Sequence, residues 1–500
     1  MIKRVNQLLV SKLFAAFIHS RIVVWVFINN KRASTMFEQK SHLFTSCKPA
    51  ILISTLFIAT NTLAVEPDYQ DQAKLHEIAA SVSANRIEKD IQTLVDFGTR
   101  HTLSETKSNT RGIGAARRWI KAEFEKISAE CGGCLEVLEV KDTISGEKRI
   151  PNPVEVVNII AIQRGSDAPN RMVMMSGDID SRVSDVMDFT SDSPGANDNA
   201  SGVAGVIESA RVLSKYKFNG SIVYAALSGE EQGLFGGKIL ANYAQQKGWQ
   251  VHGVLNNDMI GNITGINGVT DNTTARLFSE GTRVIETKEQ AHKRRFTGGE
   301  VDSASRNLAR YIDTIADRYI PNLDTMLVYR LDRFGRGGHH RPFNDMGYAA
   351  VRVMETNENY NHQHQDLRTE DGIVYGDTID GVDFNYTAKL TSLNAVSLAS
   401  MAWAPAPPTA VEISGAVKPS TTLKWQKNSD KTTVGYRIYW RYTSEPQWQF
   451  SRYVGNVNEA TLTNVVIDNY YFGVAAVNKE GIDSPVVFPG DVGAFEQGIK

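Results

Sequence analysis

From residue 135 onward the chain alternates short β-branched runs with helical segments. The runs cover residues 135–140, 156–162, 172–175, 222–227 and 251–255, and helical stretches cover 202–213 and 236–246. Strands that alternate with helices indicate a sheet whose two faces are both covered by helices. The predicted fold class is therefore α/β, with a mixed, largely parallel sheet sandwiched by helices. A shorter helical region, 85–130 with a polar loop inside it, precedes the sheet.

Acidic residues and a histidine follow several of these apolar runs. They are Asp178 and Asp180 in SGDIDS, Asp198 in PGANDNASG, Glu230 and Glu231 in LSGEEQG, Asp258 in NNDM, and His362 in NYNHQHQD. Sheet enzymes collect their ligands at the carboxyl ends of strands, where such side chains meet. The set therefore predicts a hydrolytic metal centre.

Three of these acids suit specific tasks in hydrolysis. Two divalent ions roughly 3.5 to 4 Å apart can activate water, and a bridging carboxylate holds them together. Asp198, which directly precedes a helix, suits that role, although an aspartate there also fits as a helix cap. Adjacent acids point in different directions, so Glu231 can bind metal while Glu230 acts as general base. The alternative is a pair of acids favoured by the helix dipole.

Asp258 and His362 complete the candidate ligand set. Asp258 closes an apolar run, as a metal ligand or a turn aspartate would. His362 offers a nitrogen ligand, and Asp366 four residues later could orient its ring. His364 competes with His362, and the spacing of the residues does not separate them.

The order of these motifs resembles the co-catalytic zinc aminopeptidase family, which includes bacterial leucyl aminopeptidases, glutamate carboxypeptidase II and glutaminyl cyclases. The resemblance runs from about Thr99 to Met401 and includes the NIIA and HHRPF segments. It implies the corresponding zinc exopeptidase fold and two divalent metal ions, with zinc expected. It also implies the following roles: Asp198 as bridging ligand, Glu231, Asp258 and His362 as terminal ligands, Glu230 as base, and Asp180 behind a metal-binding histidine. His362 is preferred to His364 because the family pattern has an aspartate four positions later, matched by Asp366.

The chain departs from this family pattern at two places. Asp178 stands where the family usually has a histidine, so the first metal would gain a carboxylate ligand. Such a harder ligand could favour manganese or cobalt over zinc. His339 and His340 stand where relatives often have Asp-His; they either contact substrate or fill a polar wall.

The leading functional hypothesis is an exported aminopeptidase that removes N-terminal residues from peptides with a metal-bound hydroxide and Glu230. One alternative is a glutaminyl cyclase-like enzyme, in which a single zinc is held by Asp198, Glu231 and His362. Another is a catalytically silent binding protein. A formal net charge of -2 gives no reason to expect binding to nucleic acid or an anionic membrane.

The chain divides into four predicted parts. Residues 1–64 form a leader with cleavage after Ala64, and translation could instead begin at Met36. The apolar run before Ala64 is short for a membrane span, which needs roughly 20 residues, so no stable anchor is expected after cleavage. The metallopeptidase domain covers 65–403, a proline-rich linker covers 404–409, and 410–490 form a fibronectin type III-like β-sandwich of unknown partner.

Two sequence details concern the sandwich and the cysteines. Trp425 and Tyr470 match the fibronectin type III pattern, with Tyr470 as the candidate tyrosine corner. Cys131 and Cys134 form CGGC, which is typical of a redox motif, half a zinc site or a local disulfide. No further Cys or His lies nearby, so a structural disulfide in an oxidising compartment is favoured.

Overall fold

The computed structural model describes residues 72–495. The predicted leader, with the Met36 start and the Ala64 cleavage site, lies outside the described residues, so its assignment stays a prediction. Among the described residues, none of the helices combines the length and the apolar character needed to cross a membrane.

Helices and strands alternate through most of the chain. The helices are α1 Ala73–Ser81, α2 Ala84–Asp96, α3 Gly112–Glu130, α4 Gly202–Leu213, α5 Phe235–Gln246, α6 Lys288–Thr297, α7 Ala304–Tyr319, α8 His340–Asp345 and α9 Phe384–Trp403. The strands of the first part are β1 Leu135–Ile144, β2 Val154–Gln163, β3 Ala168–Asp178, β4 Gly220–Leu227, β5 Gln250–Asn257, β6 Thr274–Ser279, β7 Asp324–Val328, β8 Ala350–Glu355, β9 Arg368–Glu370 and β10 Ile373–Tyr375. The predicted α/β class is confirmed.

Eight of these strands form one mixed sheet in the order β1-β2-β4-β3-β5-β8-β6-β7. The central neighbours β4, β3, β5 and β8 pair in parallel, while β1, β2 and β6 add antiparallel pairs towards the edges. Because parallel neighbours end at the same edge, the central strands deliver their carboxyl ends to one place. The predicted ligand motifs lie there.

The strands β6 and β7 are not among the runs predicted from the sequence. Both strands are short, and β7 has no fully buried residue, so it lacks the apolar run that marks the central strands. Helices α6 and α7 separate the two strands in the chain.

Helices cover both faces of the sheet, as the near-continuous burial of β2, β3 and β4 requires. Gly177 shows how tightly one helix approaches. A Cβ atom at this position would lie 2.5 Å from the carbonyl carbon of Gly202, the first residue of α4. The absence of a side chain here lets the end of β3 meet the start of α4, which brings Asp178 towards the turn that carries Asp198.

The C-terminal part consists of two three-stranded antiparallel sheets that form a β-sandwich. Their strands are β11 Thr409–Ser414, β12 Thr421–Gln426, β13 Thr433–Tyr442, β14 Phe450–Gly455, β15 Glu459–Leu462 and β16 Tyr470–Asn478, paired as β11-β12-β15 and β14-β13-β16. Trp425 packs against Tyr436 in its core. Tyr470 stacks on Tyr442, so the structure gives no support for a tyrosine corner. Assignment to the fibronectin type III class stays a prediction.

A cluster of buried charges joins the sandwich to the α/β part. Asp302 accepts hydrogen bonds from Arg441 of the sandwich at 2.9 and 2.8 Å and from Arg310 of α7 at 3.0 Å. All three side chains are at most 1% exposed. Arg171 of β3 and Asp430 form a second buried ion pair across the same boundary. These contacts fix the sandwich against the α/β part.

Candidate metal centre

Three ligand-type side chains converge at the carboxyl edge of the central strands. Asp198 lies in the irregular turn Ala196–Ser201 before α4, Glu231 follows β4, and His364 lies in the loop after β8. The ring Nε2 atom of His364 is 3.0 Å from Asp198 Oδ2 and 2.8 Å from Glu231 Oε1. One ligand atom from each residue lies within 4.8 Å of the others, and no other group of this kind occurs among residues 72–495.

The donor set fits a zinc ion. Two carboxylate oxygens and one imidazole nitrogen are common zinc ligands, and three protein ligands leave a position for water or substrate. The two carboxylates also attract positive charge. Although burial lowers the pKa of His364, Glu231 and Asp198 together raise it to about 9. This part of the edge therefore favours a cation between Asp198 and Glu231.

The geometry favours His364 over the predicted His362 as ligand, because the ring of His364 lies against Asp198 and Glu231. His362 is half-buried, and its ring lies near Gly381 instead. His364 has a left-handed backbone, with φ of 54°, which belongs to a turn that spacing alone does not reveal. The expected partner Asp366 is exposed and accepts a hydrogen bond from the backbone of Ser184 at 3.2 Å. It does not orient either histidine.

Arg182 contacts two of the three ligands. Its Nη2 atom lies 2.6 Å from His364 Nδ1, and its Nε atom donates to Glu231 Oε2 at 2.7 Å. The guanidinium thus fixes Glu231 in the way that supporting groups commonly orient metal ligands.

Asp377 and Gln363 hold Asp198 in place. The carboxylate of Asp377 accepts hydrogen bonds from the backbone N–H groups of Asn197, at 2.9 Å, and of Asp198, at 2.6 Å. The amide of Gln363 donates to Asp198 Oδ2 at 3.1 Å. Burial raises the pKa of Asp198, but hydrogen bonds and the charge of His364 outweigh it and hold that pKa below its ordinary value. Asp198 is therefore ready to bind a cation as a carboxylate.

Glu230 lies beside the ligands in a tightly held turn. Its backbone N–H donates to Asp180 Oδ1 at 3.2 Å, and that of Glu231 donates to Asp180 Oδ2 at 3.0 Å. Asp180 therefore positions both glutamates, whereas the resemblance had placed it behind a metal-binding histidine. Burial, followed by the charges of Glu231 and Asp258, raises the pKa of Glu230 well above its ordinary value. A raised pKa is typical of a carboxylate that exchanges protons during catalysis.

Asp178 and Asp258 reach the same edge but do not join the three ligands. Asp178 Oδ1 is hydrogen-bonded to His339 Nδ1, and its other oxygen accepts from Asn199 at 2.8 Å. Asp258 Oδ1 forms an ion pair with Arg352 Nη2 at 2.9 Å. The predicted role of these two residues as metal ligands is therefore not supported by their contacts.

His339 and His340 do not line a surface that substrate could reach. Both side chains are 0% exposed. His340 Nε2 lies 2.8 Å from the carbonyl of Leu331, away from the three ligands. Of the two alternatives for His339 and His340, the structure therefore favours a role in filling a polar wall of the site over direct contact with substrate.

The predicted disulfide is present. Cys131 and Cys134 are joined directly after α3. The bond closes a very short loop between α3 and β1 and lies apart from the ligand residues.

Sequence reasoning missed four supporting residues, Arg182, Arg352, Gln363 and Asp377. Arg352 alone carried a signal, because it stands inside the apolar strand AAVRVME and is fully buried. A charged residue in such a run must find a partner. The other three belong to loops, where only the fold shows which group they face.

Comparison with known proteins matches residues 158–373 to the Peptidase family M28 model. A probable zinc metalloprotease of Leptosphaeria maculans is 44% identical over 424 residues, which cover 85% of this chain and 97% of that protein. The chain belongs to peptidase family M28. A second probable zinc metalloprotease, of Pyrenophora teres f. teres, is also 44% identical, over 85% of this chain and 87% of its own length. These relatives support zinc as the metal of this member of the family.

The crystal structure of LapA from Legionella pneumophila shares the fold. It aligns with a TM-score of 0.50 at 19% identity and covers 68% of this chain and 78% of that one. At this identity the likeness concerns the fold alone.

Proposed function

We propose that this M28 peptidase is a zinc-dependent exopeptidase that removes single residues from the N-termini of peptides. The main support is the placement of Glu230, a half-buried glutamate with a raised pKa, beside the ligand set of Asp198, Glu231 and His364. A base beside a metal site is the arrangement that hydrolysis of a peptide bond needs.

The residues have separate tasks in this reaction. Zinc, when held by Asp198, Glu231 and His364, would polarise the scissile carbonyl and make water more acidic. Glu230 accepts a proton from the attacking water and delivers it to the departing amine, while Arg182 keeps Glu231 in position. Water adds across the amide bond, which yields a free amino acid and a shortened peptide.

The charges at the site favour an amino end over a carboxyl end. Five carboxylates lie at or next to this edge: Asp178, Asp198, Glu230, Glu231 and Asp258. A terminal carboxylate would need a free cation, but the neighbouring arginines are engaged: Arg182 with Glu231, Arg333 with Glu358, and Arg352 with Asp258. A terminal ammonium group is attracted by the surplus negative charge.

A second candidate is a glutaminyl cyclase-like enzyme. One observation favours it, namely that the described residues hold one three-ligand group, and that group consists of the types expected for a single zinc. In that reaction the α-amine of an N-terminal glutamine attacks its side-chain amide and ammonia leaves. No water would be consumed.

A peptide digest with mass detection separates the two candidates. The mature protein is incubated with a mixed peptide library that includes N-terminal glutamine, with and without a chelator. Aminopeptidase action predicts stepwise loss of N-terminal residues, which the chelator abolishes. Loss of ammonia from glutamine peptides alone would favour the cyclase, and trimming from the carboxyl end would contradict both proposals.

Glu230→Gln provides the matched variant for this digest. It preserves size and removes the base, so trimming is expected to fall by about 10² to 10⁴. Trimming at the wild-type rate would contradict the assigned base. No trimming or cyclisation by the wild-type protein would favour the silent binding protein.

We also propose that the protein is exported beyond the cytoplasm. The predicted leader and the Cys131–Cys134 disulfide support this, because structural disulfides persist in oxidising compartments. N-terminal sequencing of the protein from a fractionated culture tests it. A chain that begins at Val65 in the exported fraction is expected, and an uncleaved chain in the cytoplasm would contradict export.

A further inference from the structure

The two places at which the chain departs from the family pattern are in direct contact. Asp178 stands at the end of β3 where a histidine is expected, and His339 stands where an aspartate is expected. In the fold, His339 Nδ1 is hydrogen-bonded to Asp178 Oδ1. A histidine and an aspartate therefore still face each other, with their positions exchanged.

The exchange leaves both oxygens of Asp178 engaged in hydrogen bonds. His339 takes one oxygen and the amide of Asn199 takes the other, at 2.8 Å. His339 contacts Asp178 through its Nδ1 atom. It belongs to no three-ligand group among residues 72–495.

Arg352 engages one oxygen of the neighbouring carboxylate, Asp258. Its Nη2 atom is 2.9 Å from Asp258 Oδ1, and its Nη1 atom is 3.2 Å from Asp332 Oδ2 and 3.0 Å from the carbonyl of Gly337. The guanidinium is thus held in a fixed position by three acceptors. A divalent ion on Asp258 would lie next to this permanent positive charge, which disfavours it.

Exposure separates these pairs from the three ligands. The side chains of Asp178 and Asp258 are 3% and 4% exposed, and those of His339 and Arg352 are 0%. The side chains of Asp198, Glu231 and His364 are 11%, 7% and 17% exposed. Asp198 and His364 thus lie at a more exposed part of the edge than the two pairs.

We propose that the chain holds a single divalent ion, on Asp198, Glu231 and His364, and that the His339–Asp178 and Arg352–Asp258 pairs fill the position of a second ion. This proposal rests on the proposed function in one respect, because it assumes that a metal ion binds at the three ligands. It does not depend on which end of a peptide is cut.

Metal stoichiometry is the direct test. The mature protein is stripped with a chelator, saturated with zinc, desalted and analysed for zinc per chain. One ion per chain is expected, and two would overturn the proposal. No bound ion would overturn it and also the metal dependence of the proposed function, whereas one ion without peptide trimming would overturn the proposed activity alone.

Asparagine variants show which carboxylates hold the ion. Asp198→Asn is expected to lose the ion, while Asp178→Asn and Asp258→Asn are expected to retain one. Loss of zinc from either of the latter two, in protein whose far-UV circular dichroism matches the wild type, would overturn the proposal. The wild-type stoichiometry decides the question even if a variant does not fold.

A double-mutant cycle tests the exchanged pair itself. Asp178→His and His339→Asp each place two residues of the same type opposite each other, so each is expected to lower the Tm of the protein. The double variant restores a His–Asp contact and is expected to recover more than half of the combined loss. A double variant whose loss is simply the sum of the two single losses would overturn the assignment of this pair as a unit.

Discussion

Two regions of this protein bury several charged groups, and they do so in opposite ways. At the boundary with the β-sandwich, one carboxylate, Asp302, meets two arginines, Arg310 and Arg441. At the carboxyl edge of the sheet, by contrast, carboxylates crowd together, and burial with mutual repulsion raises the pKa of Glu230 and of Asp258, the latter to about 8. In the first region, the buried charges are paired with opposite charges within the fold. The carboxylates at the sheet edge need an added cation to balance their charge. The first region can therefore join the two domains, whereas the second can bind metal and take part in catalysis.

Removing the carboxylate from the interdomain cluster is expected to have the largest effect. Asp302→Ala leaves Arg310 and Arg441 buried without their anion, and breaking such a pair costs about 3 to 5 kcal/mol. The free energy of unfolding from urea titration measures this loss. The specific activity of the folded protein should stay unchanged, since the cluster contacts none of the metal ligands.

Glu370→Ala is the matched control for that experiment. It removes the acid of an exposed ion pair with Arg368, and such pairs contribute about 0 to 1 kcal/mol. A loss of similar size in both variants would mean that burial does not distinguish the interdomain cluster.

Removing a ligand at the sheet edge should have the opposite effect to Asp302→Ala. Activity should fall far more than the stability of the fold. His364→Ala is expected to lower peptide hydrolysis by more than about a hundredfold, because supporting residues of metal sites already cost about 10- to 100-fold when lost. Bound zinc per chain should fall with it.

His362→Ala is the control, since this histidine is two residues away and outside the ligand group. It is expected to keep both zinc and activity within about twofold of wild type, well below the cost of a supporting residue. Equal losses in the two variants, or a greater loss in His362→Ala, would contradict the assignment of His364.

The smallest predicted effect concerns repulsion among the carboxylates. Glu230→Gln removes one of them, so the metal-free protein should become more stable by about 0.5 to 2 kcal/mol while it loses activity. Folding raises the pKa of Glu230. The contribution of this residue to the free energy of unfolding is therefore fully present at pH values below the pKa of the unfolded state, and it is lost as the pH rises through the pKa of the folded state. The gain should therefore be larger at pH 8 than at pH 5. Urea unfolding at both values measures it, and an equal or reversed gain would contradict the surplus of charge at this edge.

The central elements of the fold could be predicted from the sequence, because their signals are local. The apolar run 222–227 became β4, and the pattern at 202–213 became α4 with the same bounds. The strand β7 could not be predicted in this way, since it lies at the edge of the sheet and has no buried apolar run. Its pairing with β6 depends on a partner across two intervening helices.

The candidate site divides along the same line. By itself the sequence determined that Asp198, Glu230 and Glu231 lie at the carboxyl edge of the sheet, in the predicted metal centre. The end of a strand and the start of a helix are local features, and they fix where these acids lie. Only the tertiary structure decided between His362 and His364, because a turn in a loop selects which ring faces the carboxylates. It also decided that Asp178 meets His339, although 161 positions separate them in the chain. Local patterns place residues on elements, but contacts between distant residues depend on how those elements pack.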